Sequence, residues 1–557
     1  MKYYNKLFVF ALSCAALSAC SDINDINSEG AKITDDQKQE TVDAVPGRLK
    51  ADLTGIYHYM GTQYAGRPTA GRDDDFGYAT SAISLDLNAS DMVCDNSGYN
   101  WFSVASQYTD RNANYANPVI RYAIFYNQIK LANDLIASID PNTDSEQLKS
   151  YLGQAKAVRA FDYLNLAPYY QFNYASSKDK PCVPLVTEAT TNFTDNPRAT
   201  VEEVYKQIMD DLNSAIDLLE GYKRDNKSQI DQQIAYGLRA RANLYMGNYK
   251  EAAEDADKAL AGYTPASRED VSKPYFYSIN ESDWMWGILI NTNDIAAGPN
   301  ATWPSQLGSF SGNSYTAGVG CYKRINSLLF NKIPNTDIRK QWWIHTENGK
   351  LHSDLLSTLS WTYTNSNKQE VTVKGNDIID LTITDVKVAM PEYTNVKFGM
   401  KSGIGSGTNN NDWCLMRAEE MILIKAEGLA MSGDLSGGKA VLENFVKTYR
   451  DPSYVSKATT AAAFQNEVWF QRRIELWGEG FSMADIMRLN KPVVRFHSND
   501  KANWPDAFRF NIPVGDPYLL MRFTQTEMNN NKGIVDNTGG SQPVQDQNPN
   551  ITDGVTD

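Results

Sequence analysis

The chain has 557 residues, enough for one large domain or for two to four ordinary ones with a sizeable core. Its formal net charge of −14 argues against nucleic acid as a partner, because no basic stripe could offset the repulsion between phosphate and 67 acidic residues. Hydrophobic residues make up 42% and charged residues 22%, as in globular proteins, and the 31 Tyr, 20 Phe and 11 Trp residues are an unusually large aromatic set.

The first twenty residues have the features of a bacterial lipoprotein signal. Lys2 and Lys6 precede the apolar run LFVFALSCAALSA, which is too short to cross a bilayer. The run leads into LSAC, which resembles a lipobox, the motif whose cysteine is acylated and becomes the mature N-terminus. We therefore predict a signal peptide over residues 1–19 and a lipid anchor at Cys20. The alternative is an ordinary secretory signal with a chance cysteine.

Residues 20–44 predict a flexible tether behind this cysteine. The stretch is polar and acidic and contains no aromatic residue. A tether of this length has a root-mean-square reach of roughly 25–30 Å. Acidic residues just behind an acylated cysteine also resemble the surface-export signal of Bacteroidetes lipoproteins, although Ile23 and Asn24 interrupt the run.

Helices with a clear apolar period dominate the region 45–264. TVEEVYKQIMDDLNSAIDLLE begins with a capping box formed by Thr200 and Glu203, and its apolar residues keep the helical period. YAIFYNQIKLANDLIASI and QAKAVRAFDYLNLAPYY predict two more helices, the second of which should end near Pro168. GRLKADLTGIYHYM predicts the first helix of the mature domain.

Two helical hairpins share one spacing. Ala240 lies seven residues before Gly247 in the first, and Ala426 lies seven residues before Gly433 in the second. This is the spacing of a tetratricopeptide-type unit, in which a small residue lets two helices approach closely. We predict about four such pairs, of which only these two show the spacing clearly. Unrelated helical hairpins are the alternative.

Loop composition and short strands characterise residues 265–411, the first part of a C-terminal region that spans 265–557. DWMWGILIN predicts a strand, whereas TWPSQLGSFSGNSYTAGVG and TYTNSNKQEVTVKGND predict long loops, which are usually functional. Helices return over 412–490, and the composition of 529–557 predicts a loosely held tail. The expected fold class is mostly α, with a tetratricopeptide-like scaffold of helical pairs and a loop-rich region containing short strands packed on it.

No set of residues indicates catalysis or metal binding. The four histidines have no ligand spacing, and GxSxG, HExxH and phosphate-binding glycine loops are absent from the sequence. A glycosidase needs only two carboxylates, but nothing singles out a pair. We expect no enzyme, no cofactor and no metal site, and we expect free, structural cysteines at Cys94, Cys182, Cys321 and Cys414.

Several motifs resemble, in order along the chain, those of the SusD/RagB family of surface glycan-binding lipoproteins. AVRAFDYLNLAPYY followed by VPLV, the two helices of 200–260, and DWCLMRAEEMILIKAEGL resemble successive family motifs. TDIRK supplies the Asp-x-Arg of Asp337 and Arg339, and Gln471 stands where the family usually has Glu. NIPVGDPYLL is irregular where the family commonly has a plainer Ile-Pro-x-x-Glu-Ile. RRIELWGEGFSMADIMRL carries charged residues at the family's spacing, namely Arg472, Arg473, Glu475, Glu479, Asp485 and Arg488.

The resemblance implies a SusD-like α fold and a lipid-anchored protein exposed on the outer membrane. Such a protein captures a polysaccharide or oligosaccharide and delivers it to a SusC-like TonB-dependent transporter, which we expect to dock on the repeat helices. Outer-membrane lipid, reached through acylated Cys20, is then a further partner. A peptide-binding RagB-like receptor, or an assembly adaptor without a sugar site, is the alternative.

Aromatic side chains in loops are the candidate glycan ligands, because aromatic rings stack on the apolar faces of sugars. The stretch DMVCDNSGYNWF is the best local match to the glycan-binding loops that the resemblance implies. For each aromatic candidate the alternative is core packing, which we predict for Trp284, Trp286, Trp469 and Trp477. The candidates are Tyr99, Asn100, Trp101, Trp303, Tyr315 and Trp343.

Overall fold

A computed structural model describes residues 41–42, 44–293 and 300–557 of the protein. The predicted signal peptide, the Cys20 anchor and most of the predicted tether lie outside these residues. The helices are α1 (Lys50–Tyr59), α2 (Tyr78–Asn88), α3 (Ser103–Gln107), α4 (Ala116–Ala137), α5 (Glu146–Leu164), α6 (Ala167–Tyr170), α7 (Tyr174–Ser177), α8 (Val201–Leu218), α9 (Gln232–Met246), α10 (Tyr249–Ala259), α11 (Trp303–Gln306), α12 (Ser327–Lys332), α13 (Asp377–Asp380), α14 (Ala418–Met431), α15 (Leu435–Tyr449), α16 (Ala461–Glu475), α17 (Ser482–Arg488) and α18 (Gln525–Asn530).

Neighbouring helices stack into one scaffold in the order α4, α5, α8, α9, α10, α14 and α15, and α16 also packs on α14. The capping box is present at the start of α8. The Glu203 carboxylate accepts from the backbone N–H of Thr200 at 2.8 Å, and the backbone N–H of Glu203 donates to the Thr200 hydroxyl at 3.2 Å. The apolar residues of α8 are buried on one face, as the helical period predicts. α5 ends at Leu164, before Pro168, which lies in the first turn of α6.

The two predicted hairpins are confirmed as helix–glycine–helix units. Gly247 caps α9 with φ +80°, and Gly433 follows α14 with φ +108°, a left-handed conformation that favours glycine. A Cβ atom on Gly428 of α14 would lie 2.5 Å from the carbonyl oxygen of Tyr249 on α10. α10 and α14 can therefore touch backbone to backbone, although the whole loop-rich region separates them in sequence.

The strands form short antiparallel pairs rather than one sheet. The predicted strand of DWMWGILIN is β4, and its Trp284 and Trp286 are buried as predicted. The stretch WCLMR, expected to be helical, is instead the strand that pairs with β4. The pairs are β1 (Met92–Val93) with β5 (Arg324–Ile325), β2 (Pro181–Pro184) with β3 (Arg198–Thr200), β4 (Trp284–Ile288) with β10 (Trp413–Arg417), β6 (His345–Glu347) with β7 (Lys350–His352), and β8 (Ser360–Thr364) with β9 (Glu370–Lys374).

Three buried arginines converge on one buried glutamate. Glu475 accepts from Arg417 at 2.9 Å, from Arg450 at 2.8 Å and from Arg339 at 3.1 Å. Burial alone would raise the pKa of Glu475, but the three guanidinium groups hold it well below its usual range. We call these four residues the charge cluster.

The remaining charged motif residues are also in ion pairs inside the molecule. Gln471, which stands where the family usually has Glu, accepts a hydrogen bond from Arg339 at 2.5 Å and so still contacts the charge cluster. The charged residues of the C-terminal motifs therefore hold the fold together and are buried. Their further pairs are Arg417 with Glu479, Arg472 with Asp485, Arg488 with Asp485 and Glu427, and Arg473 with Asp91 and Asp553.

The structure differs from the expectation of a loosely held C-terminal tail. Asp553 is buried and pairs with Arg473 at 2.9 Å. Asp546 pairs with Arg509 at 2.6 Å. The polar composition that suggested a loose segment supplies the side chains that bind it to the body.

Candidate functional site

Three loops, which follow α1, β1 and α11, bring a small aromatic group together. The rings of Trp101 and Tyr315 meet edge to face with their centroids 6.1 Å apart. The Tyr315 hydroxyl donates to Asp73 at 2.5 Å. The guanidinium carbon of Arg72 lies 5.1 Å from the Trp101 ring centroid, within cation–π range. We call Arg72, Asp73, Trp101 and Tyr315 the aromatic site.

Buried polar contacts fix the loop that carries Arg72. Asp74 is fully buried and accepts from Arg72 through both oxygens, at 2.8 and 3.2 Å. Asn117, near the start of α4, donates to Asp74 at 2.7 Å. Gln306 of α11 donates to the backbone oxygen of Asp73 at 3.0 Å. Arg72 is thus held over Trp101 before any ligand arrives.

Tyr315 keeps its proton across the physiological range. Burial and the hydrogen bond to the Asp73 carboxylate raise the pKa of Tyr315 to about 12. The hydroxyl therefore remains a donor to Asp73 near neutral pH, and this bond holds the Tyr315 ring in place.

The two other candidates from this stretch lie in different environments. Asn100 is 3% exposed, donates to the backbone oxygen of Asp95 at 3.1 Å and accepts from the backbone of Phe102 at 3.1 Å. Its role in the structure is to shape the loop, which differs from the expected direct contact with ligand. Tyr99, in contrast, is 57% exposed beside Trp101 and is available to a ligand.

Trp303 and Trp343 lie in the core and not at the aromatic site. Trp303 is 5% exposed, donates to the backbone oxygen of Asn411 at 3.1 Å and packs on Trp413 with centroids 5.3 Å apart. Trp343 is 0% exposed and meets the ring of Trp477 at 5.7 Å. The composition around Trp303 predicted a loop, but the residue begins the short helix α11, which packs inside the molecule.

Sequence reasoning missed Arg72 and Asp73. They lie in the stretch GRDDDFGY, where an arginine and three successive aspartates stand between glycines. Such a run is usually solvated, and only the contact with Trp101 and Tyr315 in three dimensions reveals its role. Four cysteines among the described residues are free, as predicted.

Comparison with known proteins identifies the family. A family model described as "Starch-binding associating with outer membrane" matches residues 70–244, and the model of the SusD family matches residues 308–550, together more than half of the chain. The chain belongs to the SusD family.

Individual SusD-like proteins agree with this membership. The SusD-like protein P38 of Formosa agariphila is 23% identical over 422 residues, which are 70% of this chain and 76% of that protein. A SusD-like carbohydrate binding protein of Bacteroides vulgatus superposes with a TM-score of 0.68 at 24% identity, covering 88% of this chain and 97% of that one. Surface glycan-binding protein A of Bacteroides uniformis superposes with a TM-score of 0.60 at 16% identity, covering 88% and 99%.

Within the part of the chain that the structure describes, no helix combines the length and the apolar character that crossing a membrane requires.

Proposed function

We propose that this SusD family member is a cell-surface glycan receptor that captures a polysaccharide or oligosaccharide and delivers it to a SusC-like TonB-dependent transporter. The observation that carries the proposal is the aromatic site, where a partly exposed Trp101 ring is held in place by Tyr315 and Arg72. The carbohydrate and glycan binding stated in the names of the Bacteroides vulgatus and Bacteroides uniformis relatives supports it.

Preorganisation makes the ring effective as a binding surface. Because the Trp101 ring packs against Tyr315 and Arg72 is fixed by Asp74, stacking a sugar on this surface orders few side chains. Tyr99 lies beside it and offers a second exposed ring. Hydroxyl groups of the sugar can donate to Asp73, which already accepts from Tyr315.

The charges around the site favour a neutral glycan. Arg72 is paired with Asp74, and Arg324 is paired with Asp95 in the loop before Tyr99. An acidic sugar would have to compete with these carboxylates for the guanidinium groups, whereas a neutral sugar would not.

Capture without cleavage completes the proposed role. Calorimetry against a panel of neutral polysaccharides should give saturable binding, and the same incubations should release no new reducing ends. Reducing ends that accumulate with the wild-type chain would contradict the receptor. If no polysaccharide binds while the protein still associates with the transporter, the peptide-binding or adaptor alternative would be favoured.

The membrane anchor and the transporter contact belong to the same proposal. Cys20→Ala should move the protein from the membrane fraction to a soluble periplasmic form, with glycan binding unchanged. The face of α10 carries exposed Glu251, Glu254 and Asp257 without an exposed aromatic ring, which suits a protein contact better than a sugar site. Copurification of the transporter should therefore weaken on charge reversal at Glu251 and Glu254 but persist in Trp101→Ala.

A further inference from the structure

A cleft runs along α4, away from the aromatic site. Its volume is about 610 Å³, and it lies between α4, the segment 184–196 and α18. Cavities of this size are typical of ligand sites. Asn117, which supports the aromatic site, precedes Tyr126 of the cleft by about 14 Å along the helix axis and Ala137, at the far end, by about 30 Å.

Two stacked tyrosines lie at this cleft, where the buried Tyr122, 6% exposed, supports the partly exposed Tyr126. The rings of Tyr122 and Tyr126 are stacked, with centroids 4.4 Å apart and planes 30° from parallel. The Tyr126 hydroxyl donates to the backbone oxygen of Pro184 at 2.8 Å. Neither ring has to be ordered by a ligand.

Phe193 also lines the cleft, as a solvent-exposed ring on a loop that hydrogen bonds hold in place. It is 58% exposed, as much as Tyr99 beside the aromatic site. Asn196 and Asn531 exchange two hydrogen bonds of 2.8 Å, and the backbone of Lys532 donates to that of Thr194 at 2.8 Å. Since these bonds attach the loop to the end of α18, the exposure of Phe193 is a fixed feature of the surface. An exposed ring that lines a cleft of this volume suits a ligand.

The polar groups of the cleft select the chemistry of that ligand. Glu527 accepts from Asn531 through one oxygen, at 3.0 Å, and Glu188 pairs with Arg159. Lys130 is paired with Asp134 at 2.5 Å. These carboxylates disfavour an anionic ligand, and their acceptor oxygens suit hydroxyl donors rather than a purely apolar molecule.

We propose that this cleft is a second glycan-binding site, which takes a neutral oligosaccharide on the rings of Phe193 and Tyr126. The proposal presupposes that the chain is a glycan receptor. A polysaccharide that reaches both sites would bind more tightly than a short oligosaccharide, because the second contact becomes intramolecular.

Calorimetry on the full-length protein in detergent tests the second site. The neutral probes are laminarin, starch and galactomannan, and polygalacturonate is the anionic probe. Phe193→Ala should weaken binding of a neutral probe at least fivefold, and Phe193→Trp, which keeps a ring, should restore it. Both variants should melt within a few degrees of the wild type, because Phe193 is exposed.

The outcomes separate the two sites. If Phe193→Ala titrates like the wild type with every neutral probe, or loses affinity only for polygalacturonate, the second site is wrong. If Trp101→Ala titrates normally while Phe193→Ala does not, the second site stands and the aromatic site is wrong. If the wild type binds none of the neutral probes, both are overturned.

Discussion

The charge cluster and the aromatic site are built from similar side chains but differ in what surrounds them. In the cluster, each guanidinium is fully buried and donates a hydrogen bond to Glu475. At the aromatic site, Arg72 and Trp101 are partly exposed, and the contacts join loops that are far apart in sequence. The residues that identify the family in the sequence are therefore those that hold the core, and the residues proposed to bind ligand are conspicuous only in the folded molecule.

A physical asymmetry explains this difference. A buried charge that loses its partner is left uncompensated, so changing one cluster residue alone is strongly destabilising. A loop residue that contacts ligand can be replaced without unfolding the protein. Breaking each region should consequently affect a different measurement.

Removing the central carboxylate should have the largest effect. Glu475→Gln leaves Arg339, Arg417 and Arg450 buried without their shared anion, and we expect a loss of about 3–5 kcal/mol or no folded protein. Urea denaturation followed by circular dichroism measures it. The matched control is Glu254→Gln on the exposed face of α10, which should change stability by less than about 0.5 kcal/mol. Equal midpoints for the two variants would contradict the structural role of the cluster.

Trp343→Ala tests the assignment of this ring to the core. The substitution leaves a cavity against Trp477, and we expect it to cost about 3–5 kcal/mol of stability. Glycan affinity, measured by calorimetry at a temperature where the variant is still folded, should remain that of the wild type. Reduced affinity with unchanged melting would instead return Trp343 to the binding site.

Trp101→Ala should give the opposite pattern. Loss of one stacked ring removes about 1–3 kcal/mol of binding free energy, or roughly a five- to a hundredfold loss of affinity. The melting temperature should stay within a few degrees of the wild type, because the ring is partly exposed. A variant that binds normally but melts much lower would show that Trp101 packs and does not bind.

The smallest effect is a dependence of stability on pH near the aromatic site. Burial raises the pKa of Asp75 to about 6, although its carboxylate accepts from the backbone of Gly66 and Arg67. Its stabilising contribution is therefore complete below its unfolded pKa near 4 and is lost as the pH rises to about 6.

When the pH is lowered from 6 to 5, the free energy of unfolding of the wild type should rise by on the order of 1 kcal/mol relative to that of Asp75→Asn. Thermal melts of both proteins over this range measure the difference. A constant difference between the two melting temperatures would show that the carboxyl titrates normally in the folded state.

Local patterns predicted the scaffold well. Thr200 with Glu203, and the turns at Gly247 and Gly433, act through neighbours within a few residues, so their roles can be deduced from spacing. The family motifs likewise predicted the fold class. They did not reveal that Arg339, Arg417 and Arg450 meet at one carboxylate, because that depends on packing between distant segments.

The candidate site was predicted only in part. The exposed Tyr99 and the partly exposed Trp101 and Tyr315 came from loop composition, which also suggested Trp303 and Trp343. Composition could not distinguish the exposed aromatic residues from the buried ones, because a tryptophan in a polar segment packs inward whenever the segment crosses the core. Arg72 had no local signal of its own.

The contact between α10 and α14 has a consequence for how the protein assembles. The two helices are roughly 160 residues apart along the chain, and closing a loop of that length costs on the order of 4–5 kcal/mol of chain entropy. Helices α4, α5, α8, α9 and α10 can stack as soon as they exist, whereas α14 joins them only when this long loop closes. Trp101 lies before that loop and Tyr315 within it. The pair should therefore meet late in folding, so that a chain arrested halfway would already have a helical scaffold but no aromatic site.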